Sequence, residues 1–148
     1  MLALLLASCV AQAAPAVPEA AAALARGDAA HAALDYGAAR RDYERALGLD
    51  PASVGARARL AHVLNDLGEE KAADGGEAEA RALLEAALAI AESLQSDAPD
   101  RPEGHHAVAA TLGSLTPFLS GPGKVGAARR IDESAKRATE LDPCLAPA

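Results

Sequence analysis

Four histidines, His31, His62, His105 and His106, are the side chains best suited to metal or proton chemistry in this sequence. Imidazole beside carboxylate suits zinc, so the first test is whether His31, His62 and Asp66 make a metal site. No two histidines stand four apart as in H-E-x-x-H, and the ligands would come from separate units of the chain. Polar surface residues are therefore the preferred reading, and no metal or cofactor is expected. A phosphate loop is excluded at Gly121-Pro122-Gly123-Lys124. Val125 follows where a Ser or Thr must hold magnesium, and Phe118 stands where the loop's first Gly belongs. No G-x-S-x-G or C-x-x-C occurs. Charges alternate along Arg40-Arg41-Asp42-Tyr43-Glu44-Arg45, as on a solvated helix face with i, i+4 support. Nothing demands catalysis, and an enzyme is not expected.

The elements that must position these groups are helices. The chain has 148 residues, of which 51% are hydrophobic, but 41 of those are Ala and 20 are Leu. Val and Ile together number 8, and aromatics make up 2%. Strands favour β-branched and aromatic residues, whereas Ala and Leu are the best helix formers, so the composition predicts an all-α protein. With 14 Lys and Arg against 21 Asp and Glu, the net charge is −7. Nucleic-acid binders need clustered positive charge, which excludes a nucleic-acid partner at this stage.

Met1–Val10 reads as an apolar run, followed by Ala11-Gln12-Ala13-Ala14-Pro15. A transmembrane helix needs about 20 apolar residues, so this run does not span a bilayer. It has the form of a secretory leader over 1–13, with Ala11-x-Ala13 as a small-residue cleavage site and 14–19 as a linker. No Lys or Arg precedes the run, so the expected start lies upstream of Met1. An alternative remains open: Leu6-Ala7-Ser8-Cys9 resembles a bacterial lipobox, which would place a lipid anchor at Cys9. Either way the expectation is export to a bacterial periplasm or envelope. Loss or acylation of Cys9 leaves Cys144 without an intramolecular disulfide partner.

Two strings share the form A-x-x-L-D-P: Ala46-Leu47-Gly48-Leu49-Asp50-Pro51 and Ala138-Thr139-Glu140-Leu141-Asp142-Pro143. Reading back from Pro51 gives Ala46, Tyr43, Ala39 and Gly27, and on these residues 20–51 resembles one tetratricopeptide repeat. Ala23, Arg26 and Ala30 depart from that pattern, standing where Trp, Leu and Tyr are usual. Small residues at Gly27, Ala39 and Ala46 let two helices approach, Tyr43 fills the gap, and Pro51 stops the second helix.

A second unit, 52–98, has Ser53 as N-cap, then Leu60, Leu64 and Leu67, with Gly68 expected to end the helix. An insertion near 69–79 contains the break Asp74-Gly75-Gly76. Ala80, Leu83, Leu84, Ala87, Leu88, Ala91 and Leu94 then form one stripe at helical spacing, to about Gln95. The third unit, 99–143, is more degenerate. His105, Val108, Ala109 and Leu112 fit its first helix, and Pro117 with Ser120-Gly121-Pro122-Gly123 reads as a loop. Ala128, Ile131, Ala135, Ala138 and Leu141 are assigned to its second helix, closed by Asp142-Pro143. Residues 144–148 read as the start of a further helix, so the array is expected to continue.

The resemblance implies a right-handed α-solenoid of about three helix hairpins, each too small to bury its face alone. The long second helix and the third unit also resemble the divergent repeats of regulator-of-microtubule-dynamics proteins and their bacterial relatives. On the repeat register, the first helices would line a concave groove bearing Asp28, His31, His62, Asn65, Asp66, Glu103 and His106. That set holds no Lys or Arg, so a cationic or neutral polar protein segment is the expected ligand. The expected function is an interaction module or scaffold. The alternative is an assembly component that self-associates through an exposed stripe of Ile131, Ala135 and Ala138.

Overall fold

The computed structural model describes residues 16–143. It consists of α1 (Ala16–Ala32), α2 (Tyr36–Leu49), α3 (Val54–Ala73), α4 (Glu77–Asp97), α5 (Pro102–Leu115), a single 3-10 turn (Thr116–Phe118) and α6 (Gly121–Leu141). No strand occurs among the described residues, as the scarcity of β-branched residues requires. The leader, Cys9 and Cys144 lie outside the described residues. No described helix is long and apolar enough to cross a membrane.

Each helix packs chiefly on its neighbour in a hairpin, α1 on α2, α3 on α4 and α5 on α6. The hairpins stack through α2–α3, α4–α5 and the two first helices α3 and α5. The turns within hairpins are short, which forces antiparallel pairs. Asp35 caps α2 by accepting a hydrogen bond from the Ala38 amide at 2.8 Å, and Ser53 caps α3 through the Ala56 amide at 3.3 Å.

The core is built from small residues in close apposition. Ala39, Tyr43 and Ala46 of α2 are buried with Leu60, Val63 and Leu64 of α3, and Leu84 and Ala87 follow on α4. Gly27 is buried directly against the Tyr43 ring: a methyl group there would lie 2.6 Å from Cδ1. On α4, Ala80, Leu84, Ala87, Ala91 and Leu94 are buried in the stripe that the spacing predicts.

Three local expectations are corrected. Gly68 does not end its helix, because α3 runs on to Ala73. Gly68 serves instead as a contact point, where a Cβ would meet Leu84 Cγ at 2.7 Å. The insertion is therefore mostly helix, turning at Asp74-Gly75-Gly76, where Gly75 takes a left-handed φ of +80°. Gly121-Pro122-Gly123 is not loop but the first turn of α6, where Pro lacks only an amide that would go unpaired anyway. Finally, the α6 stripe is rotated. Ala127, Ser134 and Ala138 are buried, Ile131 packs against the core, and Ala128 and Ala135 face solvent. The stripe of Ile131, Ala135 and Ala138 is thus not an exposed contact face.

Candidate interaction groove

Helical spacing sets the groove residues on the three first helices. Asp28 and His31 are one turn apart on α1, Arg59, His62 and Asp66 follow on α3, and Glu103 and His106 are one turn apart on α5. The structure gathers them in two places, along the α1–α3 seam and around a cavity between α3 and α5.

At the α1–α3 seam Asp28 is a hub. Its Oδ1 accepts hydrogen bonds from the Tyr43 hydroxyl at 2.9 Å and from Arg59 Nε at 2.6 Å. Burial alone would raise the Asp28 carboxyl, but the Arg59 and Tyr43 hydrogen bonds and the Arg59 charge outweigh it and hold the group below its ordinary range. Burial, reinforced by the bond to Asp28, pushes the Tyr43 phenol well above its own. One turn along, His31 Nε2 lies 2.7 Å from Asp66 Oδ2, and His62 Nε2 approaches the same oxygen at 3.9 Å. The His31 ring stands 5.2 Å from that of His62 and 5.4 Å from that of Tyr36.

The α3–α5 cavity has a volume of about 250 Å³. His62, Asn65, Glu103 and His106 line it together with Ala58, Ala107 and Ala110. Asn65 is buried; its amide donates to Glu69 Oε1 at 3.0 Å, and Ser114 of α5 donates to the same oxygen at 2.6 Å. The Asn65 Oδ1 has no hydrogen-bond partner. The hydrogen bond from Arg101, 2.6 Å at its shorter arm, holds the Glu103 carboxyl below its ordinary range against an opposing effect of burial.

His105 points elsewhere. It is buried, with Nδ1 2.8 Å from the Gln95 amide nitrogen and Nε2 2.9 Å from the Pro99 carbonyl, so it fastens the α4–α5 turn.

Sequence reasoning missed Arg59. The groove does contain a cation, which lines the cavity and pairs with Asp28. The signal was its place three residues before His62, which puts both on one face of α3. The trio His31, His62 and Asp66, set aside in the sequence because its ligands would come from separate units, is brought together: His62 and Asp66 stand at i and i+4 on α3 and meet His31 across the seam. The possible ligand atoms of these three residues all lie within 4.8 Å of one another.

No family model and no curated protein matches the chain. Among solved structures, the chain is similar to the crystal structure of a thermophilic TPR protein from Thermus thermophilus, with a TM-score of 0.71 at 22% identity. The fold is that of a tetratricopeptide-repeat protein. The match covers 84% of this chain and 57% of that one, so the chain spans little more than half the length of the TPR protein it matches. The stacked hairpins and the small-residue contacts at Gly27, Ala39 and Ala46 accord with that fold.

Proposed function

We propose that this TPR-fold chain is a protein-interaction module that receives an extended or helical segment of a partner in the groove formed by α1, α3 and α5. The observation that carries the reading is the α3–α5 cavity. It combines an apolar lining of Ala58, Ala107 and Ala110 with the polar side chains His62, Glu103 and His106. An apolar hollow ringed by a few polar side chains is the usual form of a site that receives a side chain of a docked segment. Glu103 is paired with Arg101 and Arg59 lines the same cavity, so the local charges offset one another and a neutral polar segment is the favoured ligand. The bacterial leader pattern at Met1–Ala13 supports export to the periplasm or envelope as part of the same reading, with a lipid anchor at Cys9 as its variant.

The test is selection of peptides from a random displayed library on the immobilised chain, followed by affinity measurement against groove variants. Ala110→Trp fills the cavity from an exposed position, and Glu103→Arg reverses the rim charge. Selected peptides should lose at least about tenfold in affinity to both, equivalent to about 1.4 kcal/mol. Peptides that bind both variants as tightly as the original chain would remove the groove assignment.

A further inference from the structure

We propose that His31, His62 and Asp66 form a zinc-binding site that clasps the first hairpin to the second. Two imidazole nitrogens and a carboxylate oxygen select zinc and similar first-row divalent ions over magnesium or calcium, which want all-oxygen shells.

The geometry is close to what such an ion needs. Both Nε2 atoms converge on one atom, Asp66 Oδ2, at 2.7 and 3.9 Å. A tetrahedral zinc with bonds of about 2.0–2.1 Å separates its ligand atoms by about 3.3–3.4 Å, midway between those two distances. It also sets two coordinated imidazole centroids about 5 Å apart, and the His31 and His62 rings stand at 5.2 Å, tilted by 35°. His31 would therefore retreat from the carboxylate by roughly 0.6 Å, while His62 moves in by roughly the same amount. That motion is cheap on the His62 side, because its side chain is 60% exposed, whereas Asp66 is 17% exposed and well placed to anchor the ion.

Helix geometry puts the pair on α3 on one face, because residues four apart lie one above the other. His31 enters from α1, so the ion would cross-link elements whose other polar tie along this seam is the Asp28–Arg59 bond. Three protein ligands leave a fourth position for water or an incoming group. The binding of the ion itself does not depend on a segment occupying the groove.

The decisive measurement is calorimetric titration of the full chain, free of any affinity tag and stripped with chelator, with zinc at neutral pH. One zinc per chain is expected, with no competition from a large excess of magnesium. His62→Gln, an exposed substitution that leaves the fold intact, and His31→Gln should each weaken binding at least tenfold. The cobalt form should show tetrahedral ligand-field bands without a thiolate charge-transfer band. Absence of stoichiometric zinc, zinc bound as tightly by His62→Gln, or a thiolate signature that traces the ion to Cys9 or Cys144 would each overturn the site.

Discussion

The tightest main-chain approach at any glycine of the fold occurs where α5 begins against the end of α4, and one methyl group tests it. A Cβ at Gly104 would sit 2.6 Å from the Gln95 backbone nitrogen, 2.7 Å from its Cα and 3.0 Å from the Leu94 carbonyl carbon. Those are main-chain atoms inside a helix, so no side chain can rotate aside and α5 itself must shift. Overpacking of this kind costs about 1–3 kcal/mol, with the upper half expected because backbone must yield. The gain from Ala over Gly in a helix, about 0.5–1 kcal/mol, is smaller here because Gly104 lies in the first turn. A net loss of about 2 kcal/mol in a chain of this size lowers the melting temperature by about 6–8 °C. The control is Gly126→Ala in α6, where a Cβ meets nothing within 4 Å. It should raise the melting temperature by about 2–4 °C. Thermal melts followed by far-ultraviolet circular dichroism decide the matter. Shifts of the same sign for both variants would show that α4 and α5 do not meet as closely as their glycine contact requires.

Two further outcomes follow from the same packing and electrostatics. Gly68→Ala should destabilise the original chain through its contact with Leu84 Cγ at 2.7 Å. In a Leu84→Ala background, itself costing about 2–5 kcal/mol, it should cost at least about 1 kcal/mol less; additive effects in a denaturant double-mutant cycle would refute the contact. Asp28 titrates below its ordinary value of 3.8, so its contribution is complete above that value and is lost as pH falls through the lower folded value. Asp28→Asn should therefore melt below the original chain at pH 7, with the gap closing below about pH 4, and a gap that stays constant down to about pH 2 would exclude the Arg59–Tyr43 hub as its cause.

The hairpin order was legible in the sequence because it rests on composition and spacing. Alanine-rich stripes at Ala80 to Leu94 and the Gly27–Tyr43 pairing leave few ways to pack. Glycine was the residue misread. Gly68 and Gly121 signal helix ends by propensity, yet Gly68 lies inside α3 in close contact with Leu84 on another helix, and Gly121 opens α6 with Pro122 at a position where no amide is needed. Both depend on a neighbour or a cap that a one-dimensional pattern does not contain. The groove residues could be placed on first helices from the repeat register alone. Their partners could not: the Asp28–Arg59 bond joins residues 31 apart and the His31–Asp66 pair joins residues 35 apart. Pairing across a seam depends on the offset between hairpins, which the register leaves undetermined.

Those pairings also decide where in the groove a partner would gain most. The α1–α3 seam is internally satisfied: Asp28 is held by Arg59 and Tyr43, and Asp66 by His31. A ligand cation reaching Asp28 would have to displace Arg59, exchanging one charge-assisted bond for another with little net gain. In the α3–α5 half Glu103 is likewise held by Arg101, and what that half adds is apolar surface. Its lining of Ala58, Ala107 and Ala110 rewards burial. Contact energy should therefore concentrate around Ala58, Ala107 and Ala110, with the α1–α3 seam setting the relative placement of the hairpins. On this reasoning a charge reversal at Asp28 acts by repelling Arg59 and opening the seam. Its effect on a docked segment would then be indirect, and smaller than that of filling the cavity at Ala110.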